Sequence, residues 1–245
     1  MILVDTLKKE GVVITSLAAL SIPSTSQVLQ AAESLIPQIS KNRSGSKNEF
    51  VIHATSEQIM ESSEIFFWGL EQRLLDIAEH YLSLPVAYHG IYFRQDITNT
   101  VKRKSRLWHT DMEDRKMFKI IIYLNDVNED GGPFQYISKS FTSTITQSLR
   151  YNFSYISDET MQRIVPLSNW KSCIGSSGTV IFVDTANIFH RGKIPIASDR
   201  FTIFYDYTSR QPKCPYYCKS SLPKDNLQLL STQFSENQRR CVFWQ

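Results

Sequence analysis

Short β-rich runs separated by turn residues fill the chain between positions 86 and 210. Runs rich in β-branched and aromatic residues and bounded by turn residues are typical of strands, and several at short spacing favour a sandwich or barrel. We therefore expect a mainly β fold with helices packed outside one β-sandwich or barrel. The predicted strands cover 90–94, 107–111, 118–124, 133–137, 179–183 and 201–207.

The flanking regions carry helical patterns. Thr55 and Gln58 can form a capping box, which predicts a long amphipathic helix that reaches about Leu82. Pro37 should break the helix predicted over 25–40. Further helices are predicted over 1–11, near 157–164 and over 226–244, where Ser235 and Gln238 form a second capping box, and a first strand is predicted at 12–14.

No linker rich in Pro, Gly or Ser divides the chain, so we expect one domain over 1–245. Its helical N-terminal part would cover about 1–85, its β core about 86–210 and its helical tail 211–245.

Composition excludes several classes of protein. The 245 residues are 42% hydrophobic and 21% charged, which excludes a disordered chain. A net charge of +3 is too weak to suggest a nucleic-acid or membrane-surface protein. The apolar run 12–22 has acidic residues before it and is too short to span a bilayer, so we predict a buried strand there and a cytoplasmic protein without a membrane segment.

Four cysteines are too few for a disulfide scaffold in a chain of this length. Cys214 and Cys218 have metal-like spacing, but no second Cys/His pair follows at ligand spacing. We therefore predict reduced thiols there and no zinc site.

His109 and Asp111 form an H-x-D pattern in β-rich sequence. Residues two apart on an extended segment point to the same face, so an imidazole nitrogen and a carboxylate oxygen can reach one metal ion. His53, His80 and His89 lack such neighbours and are expected to be surface or core histidines.

A second histidine and an arginine strengthen this pattern. His190 follows the apolar run 179–183. Ten residues after His190, Arg200 begins a second apolar run, which contains Thr202. A buried arginine is costly unless it meets a carboxylate, and Arg200 and Thr202 share a face on which they could bind one anionic group. Two histidines and one carboxylate leave open positions on an octahedral metal, as in non-heme Fe(II) oxygenases.

The pattern H-x-D, a distant His and an Arg ten residues further resembles the Fe(II)/2-oxoglutarate-dependent dioxygenase superfamily. The stretches 119–127, 132–137 and 184–192 and the opening 7–14 are similar to its phytanoyl-CoA dioxygenase-like branch. The resemblance covers about residues 5–210. One departure is the turn 137–141, where that branch often carries Pro-Gly-Ser-His.

The resemblance implies a double-stranded β-helix, a cupin-like jelly roll with iron at one mouth. It implies that His109, Asp111 and His190 bind Fe(II) and that Arg200 binds the distal carboxylate of the cosubstrate 2-oxoglutarate. Thr202 would add a hydroxyl, and Lys119 and Tyr123 would contact the cosubstrate pocket. Tyr92, Trp108 and Phe134 are expected to line the substrate pocket.

The implied reaction uses O2 and 2-oxoglutarate, releases succinate and CO2, and usually hydroxylates a small metabolite or natural-product intermediate. The carboxylate of Asp111 favours hydroxylation over chlorination, because related halogenases have a small residue there. Asp206 stands where nucleic-acid demethylases carry a second arginine, which argues against a nucleic-acid substrate. A basic run at 102–106 suggests either a lid for an anionic substrate or a solvated loop.

Two alternatives remain open. A cupin-like binding module without catalysis would have no need of His109, Asp111, His190 and Arg200 together. A zinc hydrolase could use the same three ligands, but it would need a general base nearby and would leave Arg200 without a purpose.

Overall fold

A computed structural model describes residues 2–244, and its strands form two antiparallel sheets. The larger sheet has six strands in the order β1-β7-β4-β9-β3-β2, and the smaller has three in the order β6-β5-β8. The strands are β1 Val12–Ser16, β2 Val51–His53, β3 Val86–Asp96, β4 Phe118–Tyr123, β5 Phe134–Ile137, β6 Trp170–Cys173, β7 Thr179–Asp184, β8 His190–Gly192 and β9 Arg200–Ser209.

Helices precede, connect and follow these strands in the sequence. They are α1 Ile2–Glu10, α2 Leu17–Leu20, α3 Thr25–Ile39, α4 Ser56–Glu61, α5 Ser63–Trp68, α6 Gln72–Leu82, α7 Thr142–Leu149, α8 Asp158–Gln162, α9 Lys224–Leu230 and α10 Glu236–Val242. The mainly β architecture with flanking helices is confirmed. Both predicted capping boxes, at Thr55 and Ser235, are also present.

The main hydrophobic core lies between the larger sheet and the N-terminal and C-terminal helices. Apolar side chains from β3, β4, β7 and β9 pack there against those of α3, α5 and α6. The long strands β3 and β9 pair over their whole length, which fixes the register of the residues that reach the other face of the sheet. That other face carries the chemistry described below.

The prediction of one long helix from Thr55 to Leu82 was wrong. The helix ends at Ser62 and again after Trp68, so three helices replace one. Tyrosines of the sheet explain the second break, because the hydroxyl of Tyr207 donates to the carbonyl of Gly69 at 2.7 Å. A Cβ on Gly69 would also lie 2.4 Å from the Tyr88 hydroxyl oxygen, so only glycine fits against the sheet.

Three further differences concern local structure. Pro37 does not break α3, because it lies in the last turn of that helix. Helix α7 was not predicted, since its Ser/Thr-rich sequence has a weak helical pattern. The run 12–22 forms β1 and α2, but β1 is an edge strand in which Val12 alone is buried, so the prediction of a buried strand was wrong. No helix within residues 2–244 is long and apolar enough to cross a membrane. The four cysteines form no disulfide in that part of the chain.

Candidate metal and cosubstrate site

His109, Asp111 and His190 meet at a cavity of about 270 Å³. Their ligand atoms all lie within 4.8 Å of one another. Nε2 of His109 lies 3.7 Å from Oδ1 of Asp111, and Nε2 of His190 lies 3.8 Å from the same oxygen. Two neutral imidazoles and one carboxylate in this arrangement can hold a divalent metal ion.

Backbone pairing brings the two histidines together. His109 donates its N–H to the carbonyl of His190 at 3.1 Å, and His190 donates back at 2.9 Å. The N–H of Asp111 donates to the carbonyl of Thr185 just beyond β7. The segment 107–111 is therefore not the regular strand that was predicted; it forms isolated bridges at Trp108 and His109 instead.

The second nitrogen of each imidazole is held by the backbone. Nδ1 of His109 donates to the Leu107 carbonyl at 2.8 Å, and Nδ1 of His190 donates to the Ile188 carbonyl at 3.2 Å. This leaves each Nε2 with a lone pair directed toward Asp111, the arrangement that metal-binding histidines normally show. Burial lowers the pKa of both histidines, that of His190 to about 3, so both are neutral at pH 7.

Lys119 lies behind the carboxylate of Asp111. Its Nζ is 2.8 Å from Oδ2 of Asp111 and 3.4 Å from Oδ2 of Asp206, its direct neighbour on β9. Burial alone would raise the pKa of Asp111, but the Lys119 ammonium and the two histidines outweigh it and lower that pKa. The pKa of Lys119 is raised despite its burial, because two carboxylates surround it. Asp111 therefore stays ionised, with Oδ1 directed toward the histidines.

Arg200 is buried at the other end of the cavity. Its Nη2 lies 2.9 Å from Oδ2 of Asp96, its neighbour on β3, and its Nη1 donates to the carbonyl of Gly132. Asp96 also accepts two hydrogen bonds from Arg94, at 3.0 and 2.9 Å. Burial opposes ionisation of Asp96, but the two guanidinium groups lower its pKa to about 2. Two arginines thus share one carboxylate, and a positive charge remains.

The other predicted cosubstrate contacts lie around Arg200. The Thr202 hydroxyl is fully buried and has no hydrogen-bond partner within residues 2–244, although Thr202 is not among the side chains that line the cavity. The Tyr123 hydroxyl donates to the carbonyl of Cys173 and accepts from the N–H of Phe134, so only its ring is available to a ligand. Gly192 leaves space at Arg200, since a Cβ there would be 3.0 Å from Nη2.

The predicted substrate-pocket residues divide into two groups. Tyr92 and Phe134 line the cavity, and the Phe134 ring stacks on His190 with centroids 5.5 Å apart. Trp108 does not line it, and its prediction as a pocket residue is corrected. The indole is buried in a separate cluster against Trp170, and its Nε1 donates to Asp158 at 3.0 Å. Trp108 thereby anchors the segment that carries His109.

Several charged residues of the site were not singled out from the sequence. Arg94 and Glu113 line the cavity, and Asp96 lies behind the two arginines. Asp206, considered from the sequence only as the position without a second arginine, lines the cavity as well. Burial and the charge of Asp111 raise the pKa of Glu113. A buried arginine such as Arg200 requires a carboxylate, but no local pattern in the sequence identifies Asp96 as that carboxylate. His53, expected to be unremarkable, also lines the cavity.

The fold places this chain among the double-stranded β-helix jelly rolls. No protein-family model matches the sequence, and no curated protein is significantly similar to it. The comparison with solved structures confirms the double-stranded β-helix and, at the level of the fold, the resemblance to Fe(II)/2-oxoglutarate-dependent oxygenases.

Three solved proteins illustrate the similarity. EctD from S. alaskensis is 20% identical, with 86% of this chain and 77% of that chain covered and a TM-score of 0.56; it has been solved with Fe and with 2-oxoglutarate and 5-hydroxyectoine. SnoN, a non-heme α-ketoglutarate-dependent epimerase from nogalamycin biosynthesis, is 13% identical; the match covers 85% of this chain and 81% of SnoN, with a TM-score of 0.56. HygX from Streptomyces hygroscopicus, solved with nickel, 2-oxoglutarate and hygromycin B, is 12% identical; the match covers 84% of this chain and 86% of HygX, with a TM-score of 0.55.

Proposed function

We propose that this protein is an Fe(II)/2-oxoglutarate-dependent oxygenase that oxidises a small molecule. The observation that carries the proposal is the convergence of two imidazole Nε2 atoms and one carboxylate oxygen on a cavity that also contains a buried arginine. A non-catalytic binding module would need no such ligand set. The solved proteins with this fold that bind iron and 2-oxoglutarate support the same class.

His109, Asp111 and His190 would hold the metal. The carbonyls of Leu107 and Ile188 fix the imidazoles in the tautomer that offers Nε2. Lys119 pairs with the outer oxygen of Asp111 and leaves the inner oxygen for the metal. This donor set of two nitrogens and one oxygen suits Fe(II) and leaves positions for further ligands.

Arg200 would bind the distal carboxylate of 2-oxoglutarate. Its Nε is buried without a hydrogen-bond partner within residues 2–244, as expected of a group that awaits an anion. Gly192 keeps space beside the guanidinium group. When bound, Fe(II) and 2-oxoglutarate supply O2 activation, with conversion of 2-oxoglutarate to succinate and CO2.

The remaining lining would hold the substrate. Tyr92, Phe134 and Phe204 give the cavity apolar walls. The metal and 2-oxoglutarate would share its volume of about 270 Å³, which leaves space for a small molecule or one end of a larger one. Phe134 stacks on His190, so a substrate that rests on it lies beside the metal ligands. We propose hydroxylation as the outcome, because Asp111 retains the carboxylate.

We also propose that residues 1–245 form one catalytic domain with the three parts predicted from the sequence. A single hydrophobic cluster that reaches from Val4 to Val242 supports this, since the helices at both ends of the chain pack on the same sheet.

Succinate release tests the proposal. The protein is incubated with Fe(II), 2-oxoglutarate, O2 and a panel of metabolites, and we expect one or more metabolites to raise the rate of succinate formation. The activity should disappear in His109→Ala and Asp111→Asn. Product mass then separates hydroxylation, which adds one oxygen atom, from an epimerisation, which adds none.

A zinc hydrolase with the same ligands would give the opposite pattern. It would hydrolyse esters or amides with Zn(II) bound, form no succinate, and retain full activity in Arg200→Ala. That set of results would overturn the oxygenase proposal.

A further inference from the structure

Glu113 contributes a carboxylate to the cavity wall. Among the charged side chains that line the cavity, Arg94 and Arg200 pair with Asp96, and Lys119 pairs with Asp111 and Asp206. Within residues 2–244, no cation lies within ion-pair distance of Glu113, and its Oε2 accepts the backbone N–H of Met112 at 2.9 Å. A half-buried carboxylate without a cation is costly, so its presence calls for a partner.

The backbone around Glu113 is firmly held. The Glu113 carbonyl accepts the N–H of Cys214 at 2.8 Å. The next residue, Asp114, is buried and accepts from the N–H and the hydroxyl of Ser209 at 3.0 and 2.6 Å. These contacts tie the segment to β9 and to the chain that follows it. The position of Glu113 at the cavity wall is therefore built into the fold.

The charges of metal and cosubstrate do not supply that partner. This step rests on the proposed function. The charges of Asp206 and Lys119 cancel each other. Asp111 and the chelating end of 2-oxoglutarate then balance the charge of Fe(II). The distal carboxylate of 2-oxoglutarate balances the one positive charge that remains among Arg94, Asp96 and Arg200. With both ligands bound, the charge on Glu113 is the one that stays uncompensated.

We propose that Glu113 binds a cationic nitrogen of the substrate, such as a protonated amine. A charged group on the substrate would complete the charge balance of the cavity and orient the substrate beside His109 and His190. The substrate class is then a small molecule that carries an amino or amidinium group close to the carbon that is oxidised.

Basic residues outside the cavity would favour an anionic substrate, but their effect on a ligand in the cavity is weaker than that of Glu113. Arg103 and Lys104 line an outer depression that shares His53, Arg94 and Ser105 with the metal cavity. Both are exposed, so water and salt screen their charges. Glu113 lies on the wall of the cavity itself. A preference for an anion would therefore contradict the inference.

The experiment uses protein loaded with Zn(II), a diamagnetic substitute for Fe(II), and 2-oxoglutarate. Hexylammonium, hexanol and hexanoate, which have equal chain lengths, are titrated at pH 7.5 and followed by ligand-observed NMR. We expect hexylammonium to bind at least about tenfold more tightly than hexanoate, as a charge-assisted hydrogen bond allows. Glu113→Gln should remove this preference and Glu113→Asp should keep part of it.

Glu33→Gln is the matched control, because it removes an equal charge from the exposed face of α3. It should bind hexylammonium as the unaltered protein does. The inference would be overturned if Glu113→Gln bound hexylammonium as tightly as the unaltered protein does, or if the unaltered protein bound hexanoate more tightly than hexylammonium. The proposed function would stand in either case, provided that 2-oxoglutarate still binds. Failure of 2-oxoglutarate to bind the metal-loaded protein would overturn both.

Discussion

Lys119 and Asp111 form a largely buried ion pair in which Nζ lies 2.8 Å from Oδ2, and Oδ2 of Asp206 lies 3.4 Å from the same Nζ. The lysine thus separates two carboxylates that would otherwise repel each other inside the protein. Its place on β4, between β7 and β9 in the sheet, fixes it there. The pair holds Asp111 so that Oδ1 faces the two histidines.

Lys119→Met should destabilise the metal-free protein by about 3–5 kcal/mol, because it leaves two buried carboxylates without their cation. The double variant Lys119→Met/Asp206→Asn should lose less, since it removes the second charge as well. Urea unfolding with metal chelated measures both. If the double variant were no more stable than the single one, the Lys119–Asp206 pairing would not contribute as the distances indicate.

Arg200→Ala should weaken 2-oxoglutarate binding about 10- to 100-fold and change metal affinity less than twofold. A charge-assisted hydrogen bond contributes roughly 1.5–3 kcal/mol, and the guanidinium group meets the cosubstrate rather than the metal. Isothermal titration with each ligand measures the two affinities. Arg103→Ala, which removes an exposed arginine, serves as the control. Equal losses of both affinities would contradict the assignment of Arg200.

Gly192→Ala tests the space beside Arg200. The added Cβ would lie 3.0 Å from Nη2, a tighter contact than side chains normally make, and Asp96 and Gly132 hold the guanidinium group in place. We expect weaker 2-oxoglutarate binding with metal affinity unchanged. Unaltered cosubstrate affinity would mean that the space is not part of the binding site.

His89 should make the protein sensitive to acid. Burial lowers its pKa from 6.5 to about 4, and its Nε2 lies 2.7 Å from the Thr208 hydroxyl oxygen. Between pH 6.5 and 4 the unfolded chain therefore binds a proton that the folded protein does not. Stability should fall with decreasing pH across this window by up to about 1.4 kcal/mol per unit from this residue.

The variant His89→Gln isolates that contribution, because glutamine does not titrate and its amide can still contact Thr208. Unfolding free energies at pH 7, 6 and 5, with metal chelated, should fall less steeply in the variant. The other buried histidines, His109 and His190, contribute equally to both proteins. Parallel curves would show that His89 is not held neutral by the fold.

The sequence allowed the mainly β fold to be predicted, because strand periodicity and turn residues are local signals. It also brought His109, Asp111 and His190 forward as one group through their spacing and their resemblance to known oxygenases. Their roles as ligands stay predictions until a metal is bound.

Other features depend on residues that are distant in sequence. Asp96 meets Arg200 only because β3 and β9 pair in a register that no local pattern reveals. Tyr207 accounts for the helix break at Gly69 from 138 positions away. Trp108 was misplaced for a similar reason: its partner Trp170 belongs to a separate hydrophobic cluster.

Whether His109, Asp111, His190 and Arg200 form one metal and cosubstrate site is decided by an anaerobic titration of the metal-free protein with Fe(II) and then 2-oxoglutarate. We expect a visible charge-transfer band that needs both ligands, is absent in His109→Ala, and requires a higher concentration of 2-oxoglutarate in Arg200→Ala. No band in the unaltered protein at saturating Fe(II) and 2-oxoglutarate, together with tight retention of zinc, would contradict the assignment.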